Sequence, residues 1–156
     1  FPSLDAAKPL EDLHSRIKLL NQATDKAGEF FQQLHAHLFS YIALRIPEIS
    51  DEIYRVDDAM KAGFGWEIGA FETWDLLGIE AIIQTIEKHD LPVAPWVKEM
   101  VAAGNSQFYK IDNGQRYCYD PASKNYKPLP GGSEYLLLSH RSDKLVWKNA
   151  SCKLVD

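Results

Sequence analysis

The sequence has few cysteines, no long apolar run and no excess of basic residues. Cys118 and Cys152 are its only two cysteines and lie far apart, so we expect free thiols rather than a disulfide or a metal centre. Lys and Arg number 17 against 22 Asp and Glu, and the resulting net charge of −5 argues against a nucleic-acid or anionic-membrane surface. No apolar stretch of about eighteen residues exists, and the N-terminus lacks a signal-peptide pattern. We therefore expect a soluble, cytoplasmic protein without a membrane span.

Familiar catalytic motifs are missing as well. The sequence contains no Gly-x-Ser-x-Gly, no phosphate-binding Gly-Lys-Ser/Thr and no Cys/His cluster. His35 and His37 share a helix but lack the i, i+4 spacing of a metal-binding pair. The five histidines are therefore expected to be solvated or packing residues: His14, His35, His37, His89 and His140.

Helical periodicity dominates the first hundred residues. It predicts helices over 10–20, 25–45, 53–62 and 79–88, another after Gly69 and a last one that Pro95 opens and Gly104 closes. In the long helix 25–45 the large apolar residues form one stripe and small residues form the back face. The stripe contains Phe30, Phe31, Leu34, Leu38, Tyr41 and Ile42, and the small face contains Gln32, Ala36, Ser40 and Ala43. We expect another helix to approach the small face closely, which places this helix in a central or interfacial position.

Residues 53–78 form a helix, a glycine-rich turn and a second helix. In this prediction Ile53, Val56 and Met60 share one face, and Gly63 ends the first helix in a left-handed conformation. The second helix places Phe71, Trp74 and Gly78 on one face. We expect Phe64 and Trp66 of the turn to be buried together with Phe71 and Trp74.

Two features of this segment suggest chemistry, and each has a structural alternative. The spacing of Gly63, Gly65 and Gly69 approaches a dinucleotide-binding fingerprint, but these glycines follow a helix rather than a strand, so we reject that interpretation. Asp57 and Asp75 lie beside the apolar stripes of their helices. They could act as an acid and a base, but we favour structural caps for the free N–H groups of residues 65–71.

From Phe108 onward short aromatic-rich runs alternate with turn sequences such as Asp112-Asn113-Gly114. The runs at 108–110, 116–119, 126–127 and 134–139 predict a small antiparallel sheet packed on the helices.

The glycine-rich segment resembles the C-terminal helical domain of the 3-hydroxyacyl-CoA dehydrogenases. The matching residues are Asp57, Ala59, Met60, Gly63, Phe64, Trp66, Gly69, Phe71, Glu72, Asp75 and Gly78. Ala70 stands where the family usually has proline, a change that the first turn of a helix tolerates. The likeness covers nearly the whole chain and is strongest at 40–110. It is most similar to the second helical copy in proteins that fuse this dehydrogenase to an enoyl-CoA hydratase.

The resemblance implies a fold like the C-terminal domain of 6-phosphogluconate dehydrogenase, with five or six helices and a small antiparallel β appendage near the C-terminus. Residues 1–9 would be a linker, 10–106 the helical domain, and 107–156 a β segment and linker toward the hydratase. Because the chain begins with Phe1 and ends without a cap or tail, we expect a piece of a larger protein.

The resemblance further implies a role without catalytic, cofactor-binding or metal-binding residues in this piece. NAD and the catalytic His and Glu belong to the preceding Rossmann domain of the family. The first helical copy usually carries an Asn-Arg facing acyl-CoA, and Gln32-Gln33-Leu34 stands at the corresponding place here. The expected role is to shape the acyl-CoA cleft and to pack against neighbouring domains. Two alternatives are an autonomous helical oligomerisation or binding domain and a small hydrolase using Asp57, Asp75 or a histidine.

Overall fold

The computed structural model describes residues 1–131, 145–149 and 152–155. Within them lie seven helices, a three-stranded antiparallel sheet and a second, two-stranded sheet. The helices are α1 (Pro2–Ala7), α2 (Leu13–Gln22), α3 (Lys26–Leu44), α4 (Ile53–Phe64), α5 (Ala70–Leu77), α6 (Ile79–Lys88) and α7 (Pro95–Ala102). The strands are β1 (Tyr109–Asp112), β2 (Gln115–Asp120), β3 (Asn125–Pro128), β4 (Leu145–Lys148) and β5 (Lys153–Val155). The prediction of a mainly α fold with a small antiparallel β appendage is confirmed.

The expected five or six helices become seven in the described residues because 1–9, predicted as a linker, contain α1. The N–H and the hydroxyl of Ser3 donate to the Asp25 carboxylate at 3.0 and 2.7 Å. Asp25 also caps α3 by accepting the N–H of Gly28 at 3.0 Å. One carboxylate therefore joins the starts of α1 and α3, a contact that local periodicity does not reveal.

Helix α3 is central and its small face is buried, as predicted, but of the large residues in the predicted stripe only Ile42 is buried. Its small residues Ala36, Ser40 and Ala43 are buried together with Phe39, whereas Phe30 is exposed. Leu34 and Tyr41 of the predicted stripe are exposed as well. The small side chains let other elements approach the helix axis closely, and this contact decides which face is buried.

The turn between α4 and α5 differs from the prediction in two ways. Helix α4 runs through Gly63 to Phe64, and Gly65 is the residue that adopts the left-handed conformation, with φ of 68°. A Cβ at Gly63 would meet nothing within 4 Å, so no contact forces the helix to end there. Phe64 and Trp66 were expected to be buried, but they are 74% and 41% exposed because the turn projects from the core.

Aromatic rings from the helices and the sheet form the centre of the core. Phe71 and Trp74 are fully buried, as predicted. The Trp74 ring stacks on Phe39 at 5.2 Å and meets the edge of Phe108 at 5.2 Å. Trp96 lies 5.7 Å from Phe108 and donates its indole N–H to the Ala43 carbonyl at 2.9 Å. These rings bind α3, α5, α7 and the start of the sheet into one cluster.

The last two helices follow the predicted boundaries. Ile82 and Ile86 of α6 are buried, while Ile83 is only partly buried. Pro95 lies in the first turn of α7, and Gly104 adopts φ of 84° just after that helix ends. None of the helices in the described part of the chain combines the length and apolarity needed to cross a bilayer.

The three-stranded sheet has the order β1-β2-β3 with antiparallel pairing throughout. Asn113 and Gly114, both with positive φ, form the two-residue connection between β1 and β2 that the Asp-Asn-Gly sequence predicts. The predicted run at 134–139 lies outside the described residues. Strands β4 and β5 pair with each other.

Candidate functional site

Three acidic side chains meet where α4, α5 and the sheet come together. Asp57 comes from α4, and Glu72 and Asp75 come from α5. Tyr109 of β1 and Arg116 of β2 complete the cluster from the sheet side. This acidic junction is the candidate functional site, because it holds the most perturbed carboxylates of the described residues and borders a groove.

Asp57 is placed as a cap for the start of α5. Its side chain is 1% exposed and accepts the N–H groups of Phe71 at 2.8 Å and Glu72 at 3.0 Å. The Tyr109 hydroxyl donates a third hydrogen bond at 2.8 Å. Gly69 makes this approach possible, since a Cβ there would lie 2.2 Å from the Asp57 Cβ. All the donors face one buried carboxylate, so Asp57 links α4, α5 and β1.

Asp75 does not cap the turn, and the prediction for this residue is wrong. It lies in the last turn of α5, and its two oxygens accept the N–H groups of Phe108 at 2.7 Å and Tyr109 at 2.8 Å. Those donors lie more than thirty residues further along the chain, so no local pattern could have identified them. Asp75 therefore attaches the start of β1 to α5.

Glu72 was not singled out as a site residue. It accepts the N–H of Gly69 at 2.7 Å, which completes a capping interaction at the start of α5. It also pairs with Arg116 at 2.7 Å and Lys61 at 3.3 Å. The spacing of Gly69 and Glu72, an N-cap followed three residues later by glutamate, was the signal that could have found it.

The two aspartates hold protons more tightly than ordinary surface acids. Burial raises the pKa of Asp57 to about 6, although the N–H groups and the Tyr109 hydroxyl act in the opposite direction. Burial raises the pKa of Asp75 to about 7, against the two N–H donors. Burial also acts to raise the pKa of Glu72, but the Gly69 N–H and Arg116 outweigh it and hold that pKa below its usual range. Glu72 is thus the most acidic of the three carboxyl groups.

A groove of about 500 Å³ borders the acidic junction. Its walls come from α2, the turn before α5, α5 itself, the loop before β1 and the sheet: His14, Ile68, Glu72, Asp75, Leu76, Gln107, Tyr109, Lys110, Ile111 and Arg116. Asp57 is absent from this lining, so the two aspartates do not converge on one cavity as a hydrolytic acid–base pair would require. Asp75 and His14 do share the groove, but both Asp75 oxygens already accept backbone N–H groups. The arrangement fits structural support better than proton transfer.

The three glycines of the turn do not form a dinucleotide-binding loop. Gly63 lies inside α4, Gly65 ends that helix and Gly69 is the N-cap of α5. A phosphate-binding loop would instead connect a strand to a helix. Two other residues of the sequence motif have structural positions. Gly78, with φ of 90°, joins α5 directly to α6. Met60 is partly buried against the core. Within the described residues no group of three or more His, Cys, Asp or Glu side chains is placed to hold a metal ion.

A second feature is an exposed apolar seam on α3. Phe30, Leu34 and Tyr41 are 65%, 49% and 62% exposed, and the exposed His37 lies between Leu34 and Tyr41. These four residues, called the α3 seam below, follow a four-three-four spacing and lie on the face opposite the buried small residues. This spacing is typical of a helix that packs along another helix. The spacing was readable in the sequence, but its exposure was not.

The chain has relatives among known protein sequences. No protein-family model matches the chain, and no solved structure matches it. A probable 3-hydroxyacyl-CoA dehydrogenase of Bacillus subtilis is 32% identical over 157 residues, which cover 99% of this chain. A putative fatty acid oxidation complex trifunctional enzyme of Rickettsia felis is 31% identical over 54% of this chain.

The chain spans only part of these relatives. It corresponds to 20% of the length of the Bacillus subtilis protein and to 11% of the Rickettsia felis protein. The resemblance identified in the sequence is confirmed: along nearly all of its length, this chain is a homologue of one segment of a protein named as a probable 3-hydroxyacyl-CoA dehydrogenase.

Proposed function

We propose that this chain is a non-catalytic helical module of an NAD-dependent 3-hydroxyacyl-CoA dehydrogenase of fatty-acid β-oxidation. The parent protein would oxidise a 3-hydroxyacyl-CoA to a 3-ketoacyl-CoA by hydride transfer to NAD in the cytoplasm. NAD and the catalytic residues would belong to a preceding Rossmann domain. The chain would be the second helical copy, packed on the first copy and followed by an enoyl-CoA hydratase domain. Its role would be to shape the acyl-CoA cleft and to hold these domains together.

The α3 seam is the observation that carries this proposal. Three large apolar side chains project from the most central helix, while the opposite face of that helix is fully used in the core. Exposed apolar side chains grouped in this way mark a surface that another protein element covers. The four-three-four spacing favours a helix as that element, which agrees with a second helical domain as the neighbour.

The acidic junction supports the non-catalytic part of the proposal. Asp57 accepts three hydrogen bonds from the chain itself, and Asp75 accepts two. Glu72 is paired with Arg116 and Lys61. Side chains that are already engaged in this way hold helices and sheet together, and removing one would free buried donors.

A domain replacement tests the proposal. This chain would replace the matching segment of the Bacillus subtilis relative, and the chimera would be assayed for NADH-dependent reduction of acetoacetyl-CoA. We expect an active chimera. The triple change Phe30→Ser, Leu34→Ser and Tyr41→Ser should lower its activity at least tenfold through loss of domain packing. Ile49→Ser is the matched control, since Ile49 is 60% exposed but lies outside the seam. An inactive intact chimera, or a triple variant as active as the intact one, would contradict the proposal.

An autonomous oligomerisation domain is the second candidate, and the same seam favours it. Two copies of α3 could pack seam to seam, with Phe30 of each copy near Tyr41 of the other in an antiparallel arrangement. Sedimentation velocity of the chain at tens of micromolar separates the candidates. A dimer that Leu34→Glu dissociates would support this alternative. A monomer would instead agree with a seam that packs against a different domain.

A further inference from the structure

The outer edge of β3 is protected against pairing with another strand. The N–H of Leu129 donates to the Arg116 carbonyl at 2.9 Å, and antiparallel pairs alternate, so Tyr126 and Pro128 direct their backbone groups away from β2. The Tyr126 N–H is held by the Asn125 side chain at 2.8 Å. Pro128 has no N–H to offer. This edge therefore lacks the free donors that another strand would need.

The outer edge of β1 has one open position. The Phe108 carbonyl accepts the N–H of Tyr119 at 2.8 Å, and the same alternation turns the backbone groups of Tyr109 and Ile111 away from β2. The Tyr109 N–H is held by Asp75 at 2.8 Å. No group of the described residues holds the outward N–H and carbonyl of Ile111, and its side chain is 53% exposed. Ile111 is therefore where a further strand can pair.

A second copy of β1 fits this position in one register. With an antiparallel arrangement centred on Ile111, the two Ile111 residues exchange their N–H···O bonds and bring their side chains together. Lys110 of each copy then lies opposite Asp112 of the other, and both side chains are exposed and form no ion pair within the described residues. The alternative register, with Ile111 opposite Tyr109, sets Lys110 against Lys110 and needs the N–H that Asp75 already holds.

The groove beside the acidic junction lies along the same edge. Asp75, Leu76 and Ile111 all line it. In the register centred on Ile111, Asn113 of the second copy comes opposite Tyr109, so the β1–β2 turn of that copy would enter the groove. The pairing would therefore bury more surface than the two short strands alone.

We propose that two copies of this chain pair through β1, about a two-fold axis at Ile111, to form a continuous sheet with the order β3-β2-β1-β1-β2-β3. The protected β3 edges end this sheet on both sides, so the assembly closes as a dimer. Because the contact is small, its dissociation constant should be on the order of hundreds of micromolar. The β1 surface is separate from the α3 seam, and the dimer does not depend on the proposed function.

Sedimentation velocity and NMR of the full 156-residue chain test the pairing. We expect the mass to rise toward that of a dimer between micromolar and millimolar concentration. In a sample that mixes isotope-labelled and unlabelled chains, an intermolecular contact should join the Hα of Lys110 to the Hα of Asp112, since pairs of this type lie closest. A chain that stays monomeric at millimolar concentration, or a dimer without this contact, would overturn the proposal.

Ile111→Pro tests the backbone bonds. It removes an N–H that points away from β2, so the bonds between β1 and β2 remain. The variant should fold, as its amide spectrum would show, and its dissociation constant should rise roughly tenfold or more. Leu34→Glu, in the α3 seam, is the control and should leave association unchanged, unlike in a dimer formed through α3. Equal association of Ile111→Pro and the wild type would overturn the proposal.

A charge exchange tests the register. Lys110→Asp sets two acids opposite each other and should weaken association, and adding Asp112→Lys should restore it. Lys110 also lies 4.0 Å from the centre of the Tyr126 ring, and both variants lose that contact. Recovery in the double variant therefore reports the pairing between copies and not the fold of one copy. A double variant that associates no better than Lys110→Asp would overturn the proposed register.

Discussion

At the scale of single residues, Gly69 shows how the acidic junction limits substitution. The junction needs the Asp57 carboxylate directly over the first N–H groups of α5, and that approach leaves no room for a side chain at Gly69. Its φ of −79° is available to any residue, so the constraint is contact rather than backbone conformation. The resemblance identified this glycine, but only the structure explains why a glycine is needed there.

Gly69→Ala should therefore destabilise the chain by roughly 1–3 kcal/mol, the usual cost of overpacking a filled site. Gly63→Ala is the matched control. Gly63 is helical and a Cβ there meets nothing, so alanine should stabilise the chain by roughly 0.5–1 kcal/mol. Urea unfolding of both variants measures the difference, and two variants of equal stability would refute the contact argument.

The buried His35 is expected to lower the stability of the folded chain in acid. It packs between Phe31 and Phe39, and burial lowers its pKa to about 4 from the ordinary 6.5. The unfolded chain then binds a proton at higher pH than the folded chain, so this residue lowers stability as pH falls below 6.5. By pH 4 the cost should reach about 3 kcal/mol.

His35→Phe removes this contribution because phenylalanine cannot be protonated. Its stability relative to the wild type should rise by about 3 kcal/mol between pH 7 and pH 4, from the same linkage. His37→Gln, at an exposed position on the same helix, should follow the wild-type curve. Parallel curves for His35→Phe and the wild type, measured by urea unfolding at several pH values, would count against a buried neutral histidine.

At the scale of secondary-structure elements, Trp74 and Trp66 differ in whether they belong to the aromatic cluster of the core. Trp74 is fully buried against Phe39 and Phe108, whereas Trp66, in the turn before α5, is 41% exposed. The sequence pattern treated both tryptophans as core residues. The structure separates them because one lies inside α5 and the other lies in the projecting turn.

Trp74→Ala should cost roughly 3–5 kcal/mol and unfold much of the chain at physiological temperature. Trp66→Ala should cost less than about 1 kcal/mol, since surface changes away from packed contacts have small effects. Thermal melts of the two variants give the comparison. If Trp74→Ala melted within a few degrees of the wild type, the aromatic cluster would not be the centre of the core.

The sequence predicted those elements whose signals are local. Asp25 caps α3 with its side chain, Pro95 opens α7 through its fixed φ, and Asn113-Gly114 joins β1 to β2 through positive φ angles. The close approach of other elements to the small face of α3 was predicted, but the exposure of Phe30, Leu34 and Tyr41 was not, because it depends on which elements pack around that helix. The partners of Asp75 were missed for the same reason, since Phe108 and Tyr109 lie far along the chain.

At the scale of the whole molecule, the chain has the features expected of a domain that packs against other domains. Its core is built around aromatic rings, its acids hold helices and sheet together, and Phe30, Leu34 and Tyr41 of α3 face outward. The relatives extend well beyond the segment that this chain matches. In the proposed parent protein, substrate and cofactor would be held by other domains, and the likeness to the 6-phosphogluconate dehydrogenase fold stays a prediction.

Calorimetric titration of acetoacetyl-CoA into the chain, with and without NAD, shows whether this chain binds substrate or cofactor by itself. We expect no heat of binding up to millimolar ligand in either condition, because in the proposed parent protein other domains hold substrate and cofactor. Binding in the micromolar range would contradict this expectation and would show that this chain itself holds part of the acyl-CoA site.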